Sequence, residues 1–123
     1  MEKRPSILVV DDDEDICLLL HEIFRSFNIS SSSVLSITSA KSIIYQLKPT
    51  HIILDNNLPD GDGISFTEYL SNYHPDIKIT LLTGDSEINY EGIEGILDIL
   101  LKPFTKNSIK EAFKDLIPQI DVE

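Results

Sequence analysis

The chain is 123 residues long, enough for one domain with a buried core. Hydrophobic residues make up 41% and charged residues 25%, the balance of a globular rather than a disordered chain. Ten basic against twenty-one acidic side chains leave a net charge of -11, a surface that repels nucleic acid and argues against direct DNA or RNA binding. The single cysteine, Cys17, excludes an internal disulfide and a multi-thiolate metal site. It sits in an apolar helical run and reads as a packing residue. Residues 1–6 are polar and no apolar run is long enough to span a membrane, so a cytoplasmic location with no membrane partner is expected.

Ile7-Leu8-Val9-Val10 is a continuous apolar run, the pattern of a strand buried on both faces. It leads into Asp11-Asp12-Asp13. Over residues 13–27 the period changes: Ile16, Leu19, Leu20, Ile23, Phe24 and Phe27 predict a helix whose first acidic residues suit its dipole. Residues 28–33 read as a polar, serine-rich connection and residues 34–37 as a weaker strand. A short helix over residues 39–47 ends before Pro49. His51-Ile52-Ile53-Leu54-Asp55 is a third strand, halted by the turn formers of residues 56–63. A helix follows over residues 63–73, with His74-Pro75-Asp76 as its stop. Residues 77–82 and 97–101 are the fourth and fifth strands. The last helix covers residues 106–117, with Thr105 as N-cap and Pro118 as stop. In residues 85–95 only Ile88, Tyr90 and Ile93 are apolar, and Gly92 and Gly95 interrupt, so the helix expected there is short or frayed. Alternating strands and helices imply a parallel sheet covered on both faces by right-handed crossovers. No repeat or linker divides residues 1–123, which read as a single domain.

Chemistry gathers at the strand ends, where open α/β sheets place their ligand sites. Asp55 ends the third strand. Asp11 and Asp12 follow the first. An acidic run before a helix is also ordinary capping, but like charges in series repel, and a Mg²⁺ ion would relieve that. Lys102-Pro103 ends the fifth strand; such lysines are often merely exposed. Pro103, however, restricts its neighbour and permits a cis bond, a turn that would aim Lys102 back over the strand ends. A lysine suits a phosphoryl oxygen or a carboxylate. Thr83-Gly84, after the fourth strand, offers a hydroxyl and an open backbone N–H, although this pair is also common turn chemistry.

Taken in register, these residues resemble the response-regulator receiver domain of two-component signalling, over essentially the whole chain. The matching elements are Asp11-Asp12, Asp55 with Pro59 and Gly63, Thr83, and Lys102-Pro103. The resemblance implies a flavodoxin-like, doubly wound, five-stranded parallel sheet of order 2-1-3-4-5. It implies that Asp55 is the phosphoacceptor, taking a phosphoryl group from a sensor histidine kinase or phosphotransfer protein. Asp12, Asp55 and the backbone carbonyl of Asn57 would hold Mg²⁺, with Asp11 acting through water. Thr83, Gly84 and Lys102 would take the phosphoryl oxygens, while Pro59, Gly63 and Pro103 shape the loops. Such a domain is a switch with self-catalysed phosphoryl transfer and loss, not a turnover enzyme. It signals to a downstream protein or output domain, and a phosphorylation-dependent homodimer is a further expectation. The histidines at 21, 51 and 74 lie off the strand ends and take no catalytic role.

Two departures stand out. Where receivers usually carry an aromatic residue, three positions before the lysine, this chain has Ile99. The segment between Thr83 and Lys102 is also shorter than usual, by nearly one helical turn. Phosphorylation is therefore expected to act by ordering residues 85–95, the region expected to be most mobile. A Mg²⁺-dependent phosphohydrolase with an aspartate nucleophile is the competing class. Its Asp-x-Asp-x-Thr pattern would begin at Asp11 and Asp13 but meets Asp15 where the threonine belongs. A degenerate receiver that binds a partner without phosphorylation is the third.

Overall fold

The computed structural model describes residues 4–85, 87–88 and 95–117. The helix expected within residues 85–95, its mobility and the stop at Pro118 fall largely outside that range. Five strands, β1 (Ser6–Val10), β2 (Ser30–Val34), β3 (His51–Asp55), β6 (Lys78–Thr83) and β7 (Ile96–Leu101), form one parallel sheet in the order β2-β1-β3-β6-β7. This is the expected 2-1-3-4-5 arrangement, since β4 (Asn57–Leu58) and β5 (Gly61–Asp62) form a separate antiparallel ribbon. The sequence suggested only a turn there. Four helices complete the described fold: α1 (Glu14–Ser26), α2 (Ile37–Leu47), α3 (Gly63–Tyr73) and α4 (Lys106–Ala112).

The two-residue period of the strands divides the core. Ile7, Val9 and Ile53 face α1 and α4, meeting Leu20, Phe24, Ile109 and Phe113. Leu8, Val10, Ile52 and Leu54 face α2 and α3, meeting Ala40, Ile44, Phe66 and Leu70. Both sides of β1 and β3 are thus buried, which explains their unbroken apolar sequences. Among the described residues no helix is long and apolar enough to cross a membrane.

Three boundaries correct the sequence reading. The second strand is Ser30–Val34 rather than residues 34–37, so the supposed serine-rich connection is itself the strand. Its backbone pairs with Ser6 through Val10 along one edge of the sheet. An edge strand that stays half exposed needs no apolar alternation, and periodicity cannot reveal it. Ile37 instead opens α2, with Ser36 as N-cap accepting from the Ser39 N–H at 3.1 Å. The last helix starts where expected, with Thr105 and Ser108 in a reciprocal capping box, but stops at Ala112. Phe113 and Ile117 remain buried beyond it, so their spacing reported burial rather than continued helical hydrogen bonding.

Gly63 sits where the chain folds back on β3. A Cβ there would stand 2.8 Å from the Asp55 carbonyl oxygen and 2.9 Å from Leu81 Cδ1. Gly63→Ala should therefore lower stability by about 1–3 kcal/mol despite alanine's better helix propensity. Urea denaturation would measure this, and a gain in stability would show that the loop can give way.

Candidate functional site

The parallel register brings the ends of β1, β3, β6 and β7 to the same edge, and each delivers a polar side chain there. Asp11, just past β1, is wholly buried; Asp55 is 6% and Thr83 3% exposed. The three consecutive acids separate into three roles. Asp13 is the N-cap of α1 and accepts from the Asp15 N–H at 2.9 Å. Asp12 is exposed. Asp11 is fixed from within: its Oδ1 accepts from the Asp13 N–H at 2.9 Å, and its carbonyl accepts from the Cys17 thiol at 3.3 Å. Cys17 is thus buried as expected, and burial pushes its thiol pKa up.

Lys102 reaches back from the end of β7, after which its bond to Pro103 is cis. Its ammonium lies 3.3 Å from Asp11 Oδ2 and 3.4 Å from Asp55 Oδ1. Burial opposes the lysine's charge, but Asp11 and then Asp55 outweigh it and raise its pKa. Asp55 responds in the same direction. Desolvation, and then Asp11, raise its pKa, while Lys102 and the Asn57 N–H draw it partly back.

One ligand atom from each of Asp11, Asp12 and Asp55 lies within 4.8 Å of the others. Against one ammonium, these three carboxylates leave two negative charges in excess, the charge of a single divalent cation. Asp11 Oδ2 is buried and, among the described residues, meets only the Lys102 ammonium in a 3.3 Å ion pair without a full hydrogen bond, so the cluster keeps acceptor capacity for a cation. An all-oxygen donor set with a half-exposed flank fits a hard cation such as Mg²⁺.

The remaining expected residues fall around this centre. Thr83 Oγ1 accepts from the Asp85 N–H at 3.0 Å, and its carbonyl accepts from the Lys102 N–H at 2.8 Å. Gly84 is exposed, and a Cβ on it would meet nothing within 4 Å. Pro59 lies between the two strands of the ribbon, and Asn57 pairs with Asp62 across it. Ile99 packs against the α2–α3 side of the core. The three histidines are elsewhere: His21 with Ser31, His51 beside Thr50 and Phe113, and His74 against Tyr45. With Asp13 committed to capping, the Asp-x-Asp pair of a phosphohydrolase is not assembled.

Some contributors were missed in the sequence. Asn56 Oδ1 is a second buried acceptor with no hydrogen-bond partner among the described residues, and the Asn56 N–H donates to the Leu82 carbonyl at 3.2 Å. Asp62 caps α3, accepting from the Ser65 N–H at 2.9 Å. An Asp three residues before Ser65 at a predicted helix start is a readable cap signal. Asp60 bonds to a different helix, and no local pattern announces that.

A doubly wound sheet with carboxylates, a hydroxyl and a lysine at its carboxyl edge defines a class of phosphoryl-handling, cation-binding α/β domains. Comparison with known proteins narrows the class. The sequence profile of the response regulator receiver domain matches residues 7–114, and the chain belongs to that family, the phosphoacceptor switches of two-component systems. It is 29% identical over 115 residues to the sporulation initiation phosphotransferase F of Bacillus subtilis, covering 91% of this chain and 93% of that one. To the photosynthetic apparatus regulatory protein RegA of Rhodovulum sulfidophilum it is 31% identical over 111 residues, 88% of this chain but 61% of that protein. The chain therefore spans nearly all of one relative and about three fifths of the other. Its fold overlays the signal receiver domain of an HD domain-containing protein from Pseudomonas fluorescens Pf-5 with a TM-score of 0.85, at 22% identity, covering 95% of this chain and 89% of that one. A two-component response regulator from Clostridium difficile gives 0.84 at 24% identity, covering 96% and 99%.

The raised pKa of Asp55 fixes the sign of a pH effect. Because the folded value lies above the ordinary 3.8, ionising this side chain costs stability as pH climbs from there through the folded value. Asp55→Asn should melt at a higher temperature than the wild type at pH 7, with the difference shrinking toward pH 4. Equal melting temperatures across that range would contradict it.

Proposed function

We propose that Asp55 is the phosphoacceptor of this receiver domain, loaded from a phosphohistidine on a sensor kinase or phosphotransfer protein in a Mg²⁺-dependent step. The observation that carries the reading is Lys102, whose ammonium contacts both Asp11 and Asp55 within 3.4 Å at the edge of an oxygen-only cluster. Family membership supports the partner class, since receivers take their phosphoryl group from histidine kinases or phosphotransfer proteins.

An Asp55 carboxylate oxygen attacks phosphorus. The new P–O bond replaces the P–N bond, and the electron pair leaves with the donor's imidazole. Lys102 lies beside the attacking carboxylate and can follow the phosphoryl oxygens as charge builds on them. Asp12, Asp55 and the Asn57 carbonyl would hold Mg²⁺, with Asp11 acting through water. When bound, Mg²⁺ supplies charge neutralisation to the phosphoryl oxygens. The Thr83 hydroxyl, whose oxygen accepts from the Asp85 N–H while its own hydrogen can still donate, and the Gly84 N–H would complete the oxyanion contacts. Pro59, Gly63 and Pro103 shape the loops around these groups. The protein is a switch that promotes its own phosphorylation and dephosphorylation and has no other turnover. It works in the cytoplasm, passing its state to a downstream protein, an output domain or a second copy. With a half-buried Ile99 against the core, that message does not pass through an aromatic side chain at this position.

Intact-mass measurement with a small acyl-phosphate donor should show one phosphoryl adduct, formed only with Mg²⁺ and absent from Asp55→Asn. An adduct that survives in Asp55→Asn would sink the assignment. Mg²⁺ at a hundredfold excess over its dissociation constant should stabilise the wild type by about 2.7 kcal/mol and Asp12→Ala far less. Equal gains in melting temperature would point to non-specific ion binding.

A further inference from the structure

Asp60 stands at the tip of the β4–β5 ribbon, on the surface, yet its carboxylate is among the most heavily hydrogen-bonded in the molecule. Oδ1 accepts from the Ile37 N–H at 2.9 Å. Oδ2 accepts from the Thr38 N–H at 2.8 Å and from the Thr38 hydroxyl at 2.6 Å. These bonds hold its pKa down at about 2, so it is ionised at any physiological pH. They are not local capping, since their partners are 22 and 23 positions away in sequence. Ser36, the neighbour before α2, already serves the Ser39 N–H. Asp60 satisfies the two N–H groups that Ser36 leaves, and its charge meets the positive end of the α2 dipole. Gly61 is seated against the same helix so closely that a Cβ there would stand 2.8 Å from Ile37 Cδ1.

The other end of the ribbon touches the chemistry. Asn57 opens β4 two residues beyond Asp55, and its backbone N–H helps draw the Asp55 carboxyl pKa back down. The ribbon has only two residue pairs, Asn57 with Asp62 and Leu58 with Gly61. Two strands of that length do not hold their own orientation in water. The ribbon's base is held by the Asn56 N–H on the Leu82 carbonyl and the Gly63 N–H on the Asn56 carbonyl, and its far end is aimed by two side-chain attachments: Asp62 to α3, and Asp60 to α2.

We propose that Asp60 is a positioning residue for Asp55: by clamping the ribbon to the first turn of α2, it holds the Asn57 backbone where it orients the Asp55 carboxylate for cation binding and phosphoryl transfer. The proposal rests on Asp55 being the phosphoacceptor, and it makes α2 a direct mechanical neighbour of the site.

The test is a Mg²⁺ titration of the full chain, read from backbone amide shifts of Asp12, Asp55 and Asn57, beside phosphorylation by a small acyl phosphate. Loss of a group that orients a metal ligand costs about tenfold or more in metal affinity. Asp60→Ala should weaken Mg²⁺ binding by about that factor and raise by the same factor the Mg²⁺ needed for half-maximal phosphorylation. At saturating Mg²⁺ it should still reach one adduct per chain. Asp60→Asn, which keeps one acceptor oxygen, should fall between it and the wild type. Thr38→Val, which removes only the hydroxyl, should shift least. If Asp60→Ala does not fold, Asp60→Asn decides alone: weakened Mg²⁺ binding supports the clamp, and wild-type binding overturns it. Wild-type Mg²⁺ affinity in Asp60→Ala with a lowered melting temperature would reduce Asp60 to a helix cap. Failure of the parent assignment looks different: the adduct would then persist in Asp55→Asn whatever stands at position 60.

Discussion

Two carboxylates and an ammonium, brought within 3.4 Å from the ends of three strands, set the terms for the rest of this structure. Asp11 and Asp55 are buried and face each other, an arrangement that costs free energy unless countered. Lys102 offsets part of that cost and leaves charge enough for one more divalent cation. The geometry depends on strand register. Val10 lies level with Leu54, Asp55 with Leu82, and Thr83 with Leu101. A slip of one residue in any pair would withdraw its polar group from the edge and exchange the side chains packed on the two faces. The unbroken apolar strands are thus what keeps an electrostatically unfavourable cluster in place.

Around that cluster the chain is tied down mostly by backbone groups. The Cys17 thiol holds the Asp11 carbonyl, the Asn56 N–H reaches the Leu82 carbonyl, and the Gly63 N–H returns to the Asn56 carbonyl at 2.9 Å. Side chains at the site consequently keep acceptor capacity, since Asp11 Oδ2 meets the Lys102 ammonium at 3.3 Å and, among the described residues, neither it nor Asn56 Oδ1 accepts a full hydrogen bond. Acceptors left unsatisfied in the interior are a reservoir that an incoming cation or phosphoryl group can use.

How much of this was legible in the sequence follows from which forces write into a sequence. Burial writes strongly: β1, β3, α1 and α3 lie within a residue or so of their expected places because apolar periodicity records them. The strand-end residues Asp11, Asp55, Thr83 and Lys102 were legible because an apolar run followed by a polar group marks where a strand delivers its side chain. Edge pairing writes weakly. β2 is held by backbone bonds to β1, and its four serines carry no periodic signal. Long-range polar bonds do not write at all: the union of Asp60 with Ile37 and Thr38 depends on a crossover that no window of the sequence contains. The pattern over residues 106–117 misled in the opposite way, since Phe113 and Ile117 reach the core from turns.

The serine strand has a consequence for how this molecule behaves in a crowded solution. β2 presents the outer row of backbone donors and acceptors on its side of the sheet, the kind of surface on which a stray strand from another chain can nucleate. Amyloid-forming segments are stabilised by side chains that interlock in dry, tightly matched sheets. Ser30, Ser31, Ser32 and Ser33 offer short hydrated hydroxyls instead, and Ser31 is already engaged by His21. A stranger could find hydrogen bonds along this edge but little apolar surface to desolvate. The weak sequence signal of β2 is thus also a colloidal safeguard, letting an exposed sheet margin coexist with solubility.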